Sequence, residues 1–165
     1  MRCALFFFGA FAVLSAAQAS PAARGDLAER PDFELSDGRQ FVRLSEWPAR
    51  PTVVNFWRAD CPPCLKEIPE LARLAREGRV RVVAVALQRP AETLAAPVTI
   101  LDELKAPMIL LHGPSEPRGL LSRFGNPQGA LPHTVWLDAA GRVCAKKTGR
   151  VDTAWLNAQG ARCGN

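Results

Sequence analysis

The sequence predicts an α/β fold, with a mixed central sheet, helices on both faces and an added hairpin on the amino-terminal side. Residues 52–57 form an apolar run rich in β-branched and aromatic side chains, which is typical of a buried strand. Apolar residues then recur at helical spacing over 65–75, and a second strand-like run covers 80–87. A hairpin pattern over 134–146 precedes a final helix. This order of elements favours a mixed sheet that is covered on both faces.

Turn and helix-end signals place the other elements along the chain. Residues 33–42 predict a short hairpin around an Asp-Gly turn, and Gly78 ends the helix that follows the first central strand. Residues 89–105 are expected to be helical only in part, because two prolines interrupt any long helix. The remaining elements are a strand at 108–111, a helix at 115–124, a hairpin over 134–146 and a last helix at 151–158.

The composition favours a single globular domain. The chain has 165 residues, 48% of them hydrophobic and 22% charged, which excludes a disordered or collagen-like chain. Lys and Arg total 21 against 16 for Asp and Glu, so the formal net charge is +5. The positive charges are scattered along the sequence, so nucleic acid is not an expected partner. We expect the protein to be a monomer.

The amino terminus has the pattern of an export signal. Arg2 precedes a dense apolar core, and the Ala-Gln-Ala sequence at 17–19 matches a cleavage site. We therefore predict a signal peptide at 1–19, a tether at 20–31 and one domain at 32–165. An uncleaved membrane anchor is the alternative. Export would bring the chain to a compartment in which disulfides persist.

Two of the five cysteines form a close pair at the start of a predicted helix. Cys61 lies at the helix amino end, where unpaired N–H groups and the helix dipole favour a thiolate. Cys64 lies one turn later, close enough to form a disulfide, so the pair can accept and release two electrons. Cys61 is then the attacking thiolate and Cys64 the resolving thiol. The alternatives are a structural disulfide or half of a zinc site, but no second close Cys or His pair completes a metal site.

Two motifs resemble those of a known family. Residues 55–69, with the sequence NFWRADCPPCLKEIP, resemble the active-site segment of the TlpA/ResA group of exported thioredoxin-like proteins. Residues 129–138, GALPHTVWLD, resemble the cis-proline strand of that group. The resemblance covers roughly residues 32–160 and implies a thioredoxin fold with the added hairpin. It also implies a periplasmic thiol:disulfide oxidoreductase that needs no cofactor, because its electrons travel as thiols.

The resemblance implies further residues that contact the client. Pro132, in a cis bond after Leu131, would pack against the cysteine pair. The Leu131 backbone would pair with a client segment in the manner of a strand. Trp57 and Asp60, which belong to the active-site segment, are the other candidates for client contacts. The alternative for Pro132 is an ordinary trans proline at the start of a strand.

An acidic residue is expected to serve the second thiol. Glu67 lies three residues after Cys64 and therefore on the same helical face. The family carries an acid at this place to manage the proton of the second thiol. Asn55 stands where ordinary thioredoxins place a buried aspartate, which leaves Glu67 for this task. A solvated helix glutamate is the alternative.

One residue departs from the family pattern and bears on the direction of electron flow. Asp60 stands before Cys61, where the family usually has Trp, and a nearby anion raises the pKa of a thiol. Arg58 is a candidate to offset this charge. Pro62 and Pro63 lack N–H groups that would stabilise the thiolate. We therefore expect a reductase of protein disulfides, with a disulfide-forming oxidase as the alternative.

The other two cysteines of the predicted domain have three interpretations. Cys144 lies on the last predicted strand, and Cys163 follows the last predicted helix. In an exported protein two such cysteines are expected to pair, and we predict a structural disulfide between them. Free thiols and a second redox relay are the alternatives.

A histidine near the cis-proline motif introduces a second class of function. Soft thiolates select Cu(I), so Cys61, Cys64 and His133 are a candidate ligand set for a copper-binding or copper-site assembly protein. Alternate residues of a strand face opposite sides of a sheet, so His133 need not face the thiols. We expect His133 to be a solvated surface residue instead.

The partners follow from the resemblance alone. It implies clients that contain disulfides, such as apocytochromes c or copper-site assembly factors. It also implies a membrane thiol-electron transporter of the DsbD kind as the upstream reductant. The family's cytochrome-maturation branch has an acidic residue after the cis-proline, where this chain has His133. Apocytochrome is therefore the less favoured client.

Overall fold

The computed structural model describes residues 30–163, so the predicted signal peptide (1–19) and nearly all of the predicted tether (20–31) lie outside the described part. The strands are β1 (Glu34–Ser36), β2 (Phe41–Arg43), β3 (Thr52–Trp57), β4 (Arg81–Ala86), β5 (Ile109–His112), β6 (His133–Leu137) and β7 (Val143–Thr148). The helices are α1 (Pro62–Arg76), α2 (Pro90–Thr93), α3 (Val98–Glu103), α4 (Arg118–Arg123) and α5 (Thr153–Cys163).

The strands form one mixed sheet in the order β2-β1-β5-β4-β3-β6-β7. β3, β4 and β5 are parallel, whereas β6 pairs antiparallel with both β3 and β7. The amino-terminal hairpin belongs to the same sheet, because Ser36 of β1 pairs with His112 of β5. The predicted fold class, a mixed sheet with an added hairpin, is confirmed.

Apolar side chains are buried in two layers, one on each face of the sheet. Alternate residues of β3 enter different layers, with Val53 and Trp57 on one face and Val54 and Phe56 on the other. The first layer packs against α1, α3 and α5, and the second against α4 and the amino-terminal hairpin. Helices therefore cover both faces, as predicted.

Two helices differ from their predicted extents. α4 begins only at Arg118, because Pro117 restricts the residue before it to extended backbone. α5 continues to Cys163 through Gly160, which packs closely on Trp136: a Cβ at Gly160 would lie 3.5 Å from that ring. Within residues 30–163, no helix is both long and apolar enough to span a membrane.

Candidate redox site

Cys61 and Cys64 form a disulfide at the beginning of α1, with their Cα atoms 5.2 Å apart. β3 ends at Trp57, and a tight turn then brings Cys61 to the N-cap position of the helix. Pro62 suits the first helical position because its fixed φ is already helical. Cys61 is partly exposed, whereas Cys64 is fully buried. An incoming thiol or disulfide can therefore reach Cys61 but not Cys64.

The turn before Cys61 is held by the end of β4. Arg58 donates a hydrogen bond from Nη1 to the Leu87 carbonyl, at 3.0 Å. The Gln88 side chain accepts the N–H of Ala59 through Oε1, at 2.8 Å, and is only 3% exposed. Sequence reasoning missed Gln88, because an isolated glutamine after a strand carries no local signal of such a contact.

Asp60 and Arg58 form a two-pronged ion pair beside Cys61. Arg58 Nε lies 2.8 Å from one carboxylate oxygen of Asp60, and Nη2 lies 3.0 Å from the other. The hydrogen bonds from Arg58 lower the pKa of Asp60, so this carboxyl is ionised at neutral pH. Because its charge is paired, Asp60 opposes a Cys61 thiolate less than an isolated carboxylate would.

Replacing Asp60 with asparagine is expected to lower the pKa of Cys61 in the reduced protein. The change removes the anion and leaves the Arg58 guanidinium unpaired, and both effects favour the thiolate. The ultraviolet absorbance of the thiolate in the reduced protein measures this pKa. Asp102→Asn is the matched control, because it removes an exposed carboxylate of α3 that is paired with Lys105. An unchanged or higher pKa in Asp60→Asn would contradict the prediction.

Glu67 is buried beneath the cysteine pair, one turn after Cys64, and has no exposed surface. Its Oε1 accepts a hydrogen bond from Asn55 Nδ2 at 2.6 Å, and its Oε2 accepts the N–H of Val151 at 2.7 Å. Burial raises the pKa of Glu67 to about 7, although both hydrogen bonds act in the opposite direction. The carboxyl can therefore hold or release a proton near neutral pH.

Asn55 connects Glu67 to the strand that follows the cis-proline. Its Nδ2 also donates to Thr134 Oγ1, at 3.0 Å, and the Asn55 side chain is fully buried. Its Oδ1 has no hydrogen-bond partner within the described residues. The amide thus fixes the orientation of the Glu67 carboxyl and leaves one acceptor available beside it.

The Leu131–Pro132 peptide bond is cis. Phe56 pairs with His133 across β3 and β6, so this bond lies beside the turn that leads from β3 to Cys61. The Pro132 carbonyl accepts the N–H of Gly149, at 2.8 Å. Leu131 makes no backbone hydrogen bond in the part of the chain that the structure describes, and its side chain is only partly buried. Its backbone is thus available to an extended client segment.

Two predicted roles are wrong. Trp57 is fully buried in the layer under α1, so its side chain is not available to contact a client. His133 is not a surface residue, because it is 1% exposed and its Nε2 lies 3.0 Å from the Phe124 carbonyl. Its ring stacks on Phe56 in the layer opposite to that of Cys64, and burial lowers the pKa of His133.

The buried position of His133 argues against the copper site that the sequence suggested as an alternative. Because His133 and Cys64 face opposite sides of the sheet, His133 does not join the cysteine pair in one ligand set. Among residues 30–163, no group of three His, Cys, Asp or Glu side chains is placed to hold a metal ion.

Cys144 and Cys163 form a disulfide that joins β7 to the end of α5, with 5.8 Å between their Cα atoms. The hydrogen bond from Gly149 to Pro132 brings the Thr148 end of β7 toward the cis-proline. Cys144 lies four residues before Thr148, about 13 Å further along the strand. The structure therefore separates this disulfide from the cysteine pair.

Comparison with known proteins assigns the family. A family model described as Redoxin matches residues 23–159. The chain belongs to the Redoxin family. Its relatives include the thiol:disulfide interchange protein DsbE of Pseudomonas aeruginosa, which is 33% identical over 125 residues. That alignment covers 74% of this chain and 66% of the relative, so the chain spans slightly less than two thirds of that protein.

Another relative and a solved structure extend this likeness. The thiol-disulfide oxidoreductase ResA of Geobacillus thermodenitrificans is 37% identical over 65 residues, which are 36% of this chain and 37% of ResA. A crystal structure described as a putative thiol:disulfide interchange protein DsbE from Chlorobium tepidum superposes with a TM-score of 0.65. The superposition covers 83% of this chain and 96% of the Chlorobium tepidum chain, with 20% sequence identity. It shows that the two share the thioredoxin-like fold. The resemblance to the TlpA/ResA group is confirmed.

Proposed function

We propose that this chain is a periplasmic thiol:disulfide oxidoreductase that reduces protein disulfides. The observation that carries the proposal is the asymmetric disulfide at the beginning of α1, in which Cys61 is accessible and Cys64 is buried. The named activities of the DsbE and ResA relatives support the same chemistry. The export pattern at the amino terminus supports the compartment.

The proposed reaction begins with the reduced pair. The Cys61 thiolate attacks one sulfur of a client disulfide, so a mixed disulfide forms and the client's other sulfur leaves as a thiolate that takes up a proton. Cys64 then loses its proton and attacks Cys61 Sγ. The Cys61–Cys64 disulfide forms, and the second client sulfur leaves as a thiol. The client gains two electrons and the pair loses two.

Three residues contribute to these steps. Glu67, with a pKa raised to about 7 by burial, accepts the proton that Cys64 gives up when it becomes the nucleophile. The Leu131 backbone makes no hydrogen bond within the described residues, so it can pair with an extended segment of the client. This pairing brings the client disulfide toward Cys61. Asp60 lies exposed beside Cys61 and contributes to the client-facing surface.

The residues at the start of α1 support the proposed reducing direction. Pro62 and Pro63 occupy its first positions and supply no N–H group. A thiolate with few donors is poorly stabilised, and a poorly stabilised reduced form makes the couple more reducing. We infer that a membrane thiol-electron transporter of the DsbD kind re-reduces the pair and that the protein acts as a monomer.

The reduction potential of the Cys61–Cys64 couple tests this function. We expect a value near that of thioredoxin, about −270 mV, in equilibrium with a dithiol buffer. Cys144→Ala combined with Cys163→Ala keeps the second disulfide out of the readout. A value near about −120 mV would identify an oxidant instead.

Cysteine variants test the assigned roles in the same preparation. Cys64→Ser is expected to accumulate a mixed disulfide with a client, because Cys61 attacks and nothing resolves the product. Cys61→Ser is expected to accumulate none and to lose the reduction of a model disulfide protein. Equal trapping by both variants would contradict the assignment of Cys61 as the nucleophile.

A further inference from the structure

A cavity of about 340 Å³ lies at the end of the sheet opposite the cysteine pair. Its walls include Thr52 and Arg81, the first residues of β3 and β4, whereas Cys61 follows the last residue of β3. β3 has 6 residues, and a strand of that length spans about 20 Å. Trp47 and the turn at 139–141 close the sides of the cavity. Its volume is that of a small-molecule site.

Arg81 forms the charged wall of this cavity. Its guanidinium lies 5.0 Å from the centre of the Trp47 ring, in a cation–π contact. It donates to the Pro48 carbonyl at 3.0 Å and to Thr52 Oγ1 at 3.3 Å, and both acceptors are neutral. These contacts hold the guanidinium in one orientation without neutralising its charge.

A second guanidinium adds to this charge. Arg50 lines the same cavity and donates to the carbonyl of Gly78, which is again a neutral acceptor. Burial and the nearby charge of Arg50 both lower the pKa of Arg81, and no carboxylate raises it. A guanidinium carries five N–H donors, so both arginines keep donors to offer to a ligand.

The carboxylates in the cavity wall are engaged with their own loops. Asp32 accepts hydrogen bonds from the N–H and the hydroxyl of Ser45, at 3.0 and 2.6 Å. Asp138 accepts the N–H groups of Ala140 and Arg142, and the Arg142 side chain as well. Among residues 30–163, neither carboxylate forms an ion pair with Arg50 or Arg81. Asp138 is paired with Arg142, whereas Asp32 accepts hydrogen bonds from neutral donors and keeps its negative charge in the wall.

We propose that this cavity binds a small molecule that carries a dianionic phosphate group. Two guanidinium charges match a dianion, and their forked N–H donors match the geometry of phosphate oxygens. The Trp47 ring holds the Arg81 guanidinium in place before binding, so less side-chain entropy is lost when the ligand binds. The site lies at the opposite end of β3 from Cys61 and does not depend on the proposed redox function.

Calorimetric titration of the full chain with inorganic phosphate tests this site. At about pH 8 phosphate is mainly a dianion, and sodium chloride keeps the ionic strength constant. We expect saturable binding at one site per chain, with acetate, a monoanion, binding at least about tenfold more weakly. Arg50→Gln and Arg81→Gln are each expected to weaken phosphate binding at least about tenfold.

Arg39→Gln is the matched control, because Arg39 is an exposed arginine of the hairpin outside the cavity. It is expected to leave phosphate binding unchanged. Arg50 is itself exposed, so Arg50→Gln tests the site even where Arg81→Gln impairs folding, which thermal unfolding detects. The proposal is overturned if binding does not saturate, if acetate binds as tightly, if Arg50→Gln retains full affinity or if Arg39→Gln weakens binding equally.

Discussion

Glu67 is expected to make the oxidised protein lose about 3 kcal/mol of unfolding free energy as the pH rises from about 4.5 to about 8. Replacing Glu67 with glutamine is expected to remove this loss. Burial raises the pKa of Glu67 from 4.5 to about 7 in the folded protein. Between these two values the folded state binds a proton that the unfolded state has lost. This contribution to stability is therefore fully present below the unfolded pKa and disappears as pH rises through the folded pKa.

Urea unfolding at several pH values measures this effect as the difference in unfolding free energy between the wild type and Glu67→Gln. Glutamine fits the site, because its side-chain carbonyl can accept the Val151 N–H. If the side-chain amide of Asn55 turns over, its Oδ1, which has no partner within residues 30–163 of the wild type, accepts a hydrogen bond from the glutamine NH2 group. Glu70→Gln is the control, since Glu70 is on the same helix but only half-buried. A difference that stays constant over the pH range would exclude a raised pKa at Glu67.

Removing the disulfide between Cys144 and Cys163 is expected to cost about 3 kcal/mol of unfolding free energy. The bond joins residues 19 positions apart and restricts the unfolded chain accordingly. Cys144→Ala with Cys163→Ala is the suitable variant, because alanine leaves no unpaired polar group at the buried position of Cys163. Urea unfolding of the oxidised proteins measures the loss.

The matched control removes the other disulfide, through Cys61→Ala with Cys64→Ala. That bond joins residues only 3 positions apart, so its removal is expected to destabilise the protein less. The Cys144 and Cys163 variant should also retain the reduction of a model disulfide protein, because a structural disulfide takes no part in electron transfer. Loss of that activity without loss of stability would instead indicate a redox relay.

Local patterns predicted most of the fold. The apolar run at β3, the helical spacing in α1 and the two-strand pattern near the carboxyl end each reflect contacts within a short stretch of chain. The error at the start of α4 has a local cause, Pro117, whereas the error at the end of α5 involves a distant segment. α5 extends beyond its predicted end to Cys163, whose side chain is buried and bonded to Cys144 of β7.

The errors at the site also involve distant segments. Strand alternation shows that His133 and Thr134 face opposite sides, but only the pairing of β6 with β3 shows which side holds the cysteines. Trp57 was assigned to client contact from its position near Cys61, and the packing of α1 over β3 buried it. Gln88 reaches the turn before Cys61 only because β4 ends beside β3.

The order of residues alone was enough to locate the cysteine pair at a helix start, to propose the cis-proline and to pair Cys144 with Cys163. The cysteine pair and the pairing of Cys144 with Cys163 depend on residue type and on spacing along the chain, whereas the cis-proline was implied by the resemblance to the TlpA/ResA group. Only the tertiary structure buried Glu67 against Asn55 and Val151, which raises its pKa, and brought Arg50 and Arg81 to one cavity. Burial and electrostatic environment depend on how distant segments pack together, and no short stretch of sequence records that packing.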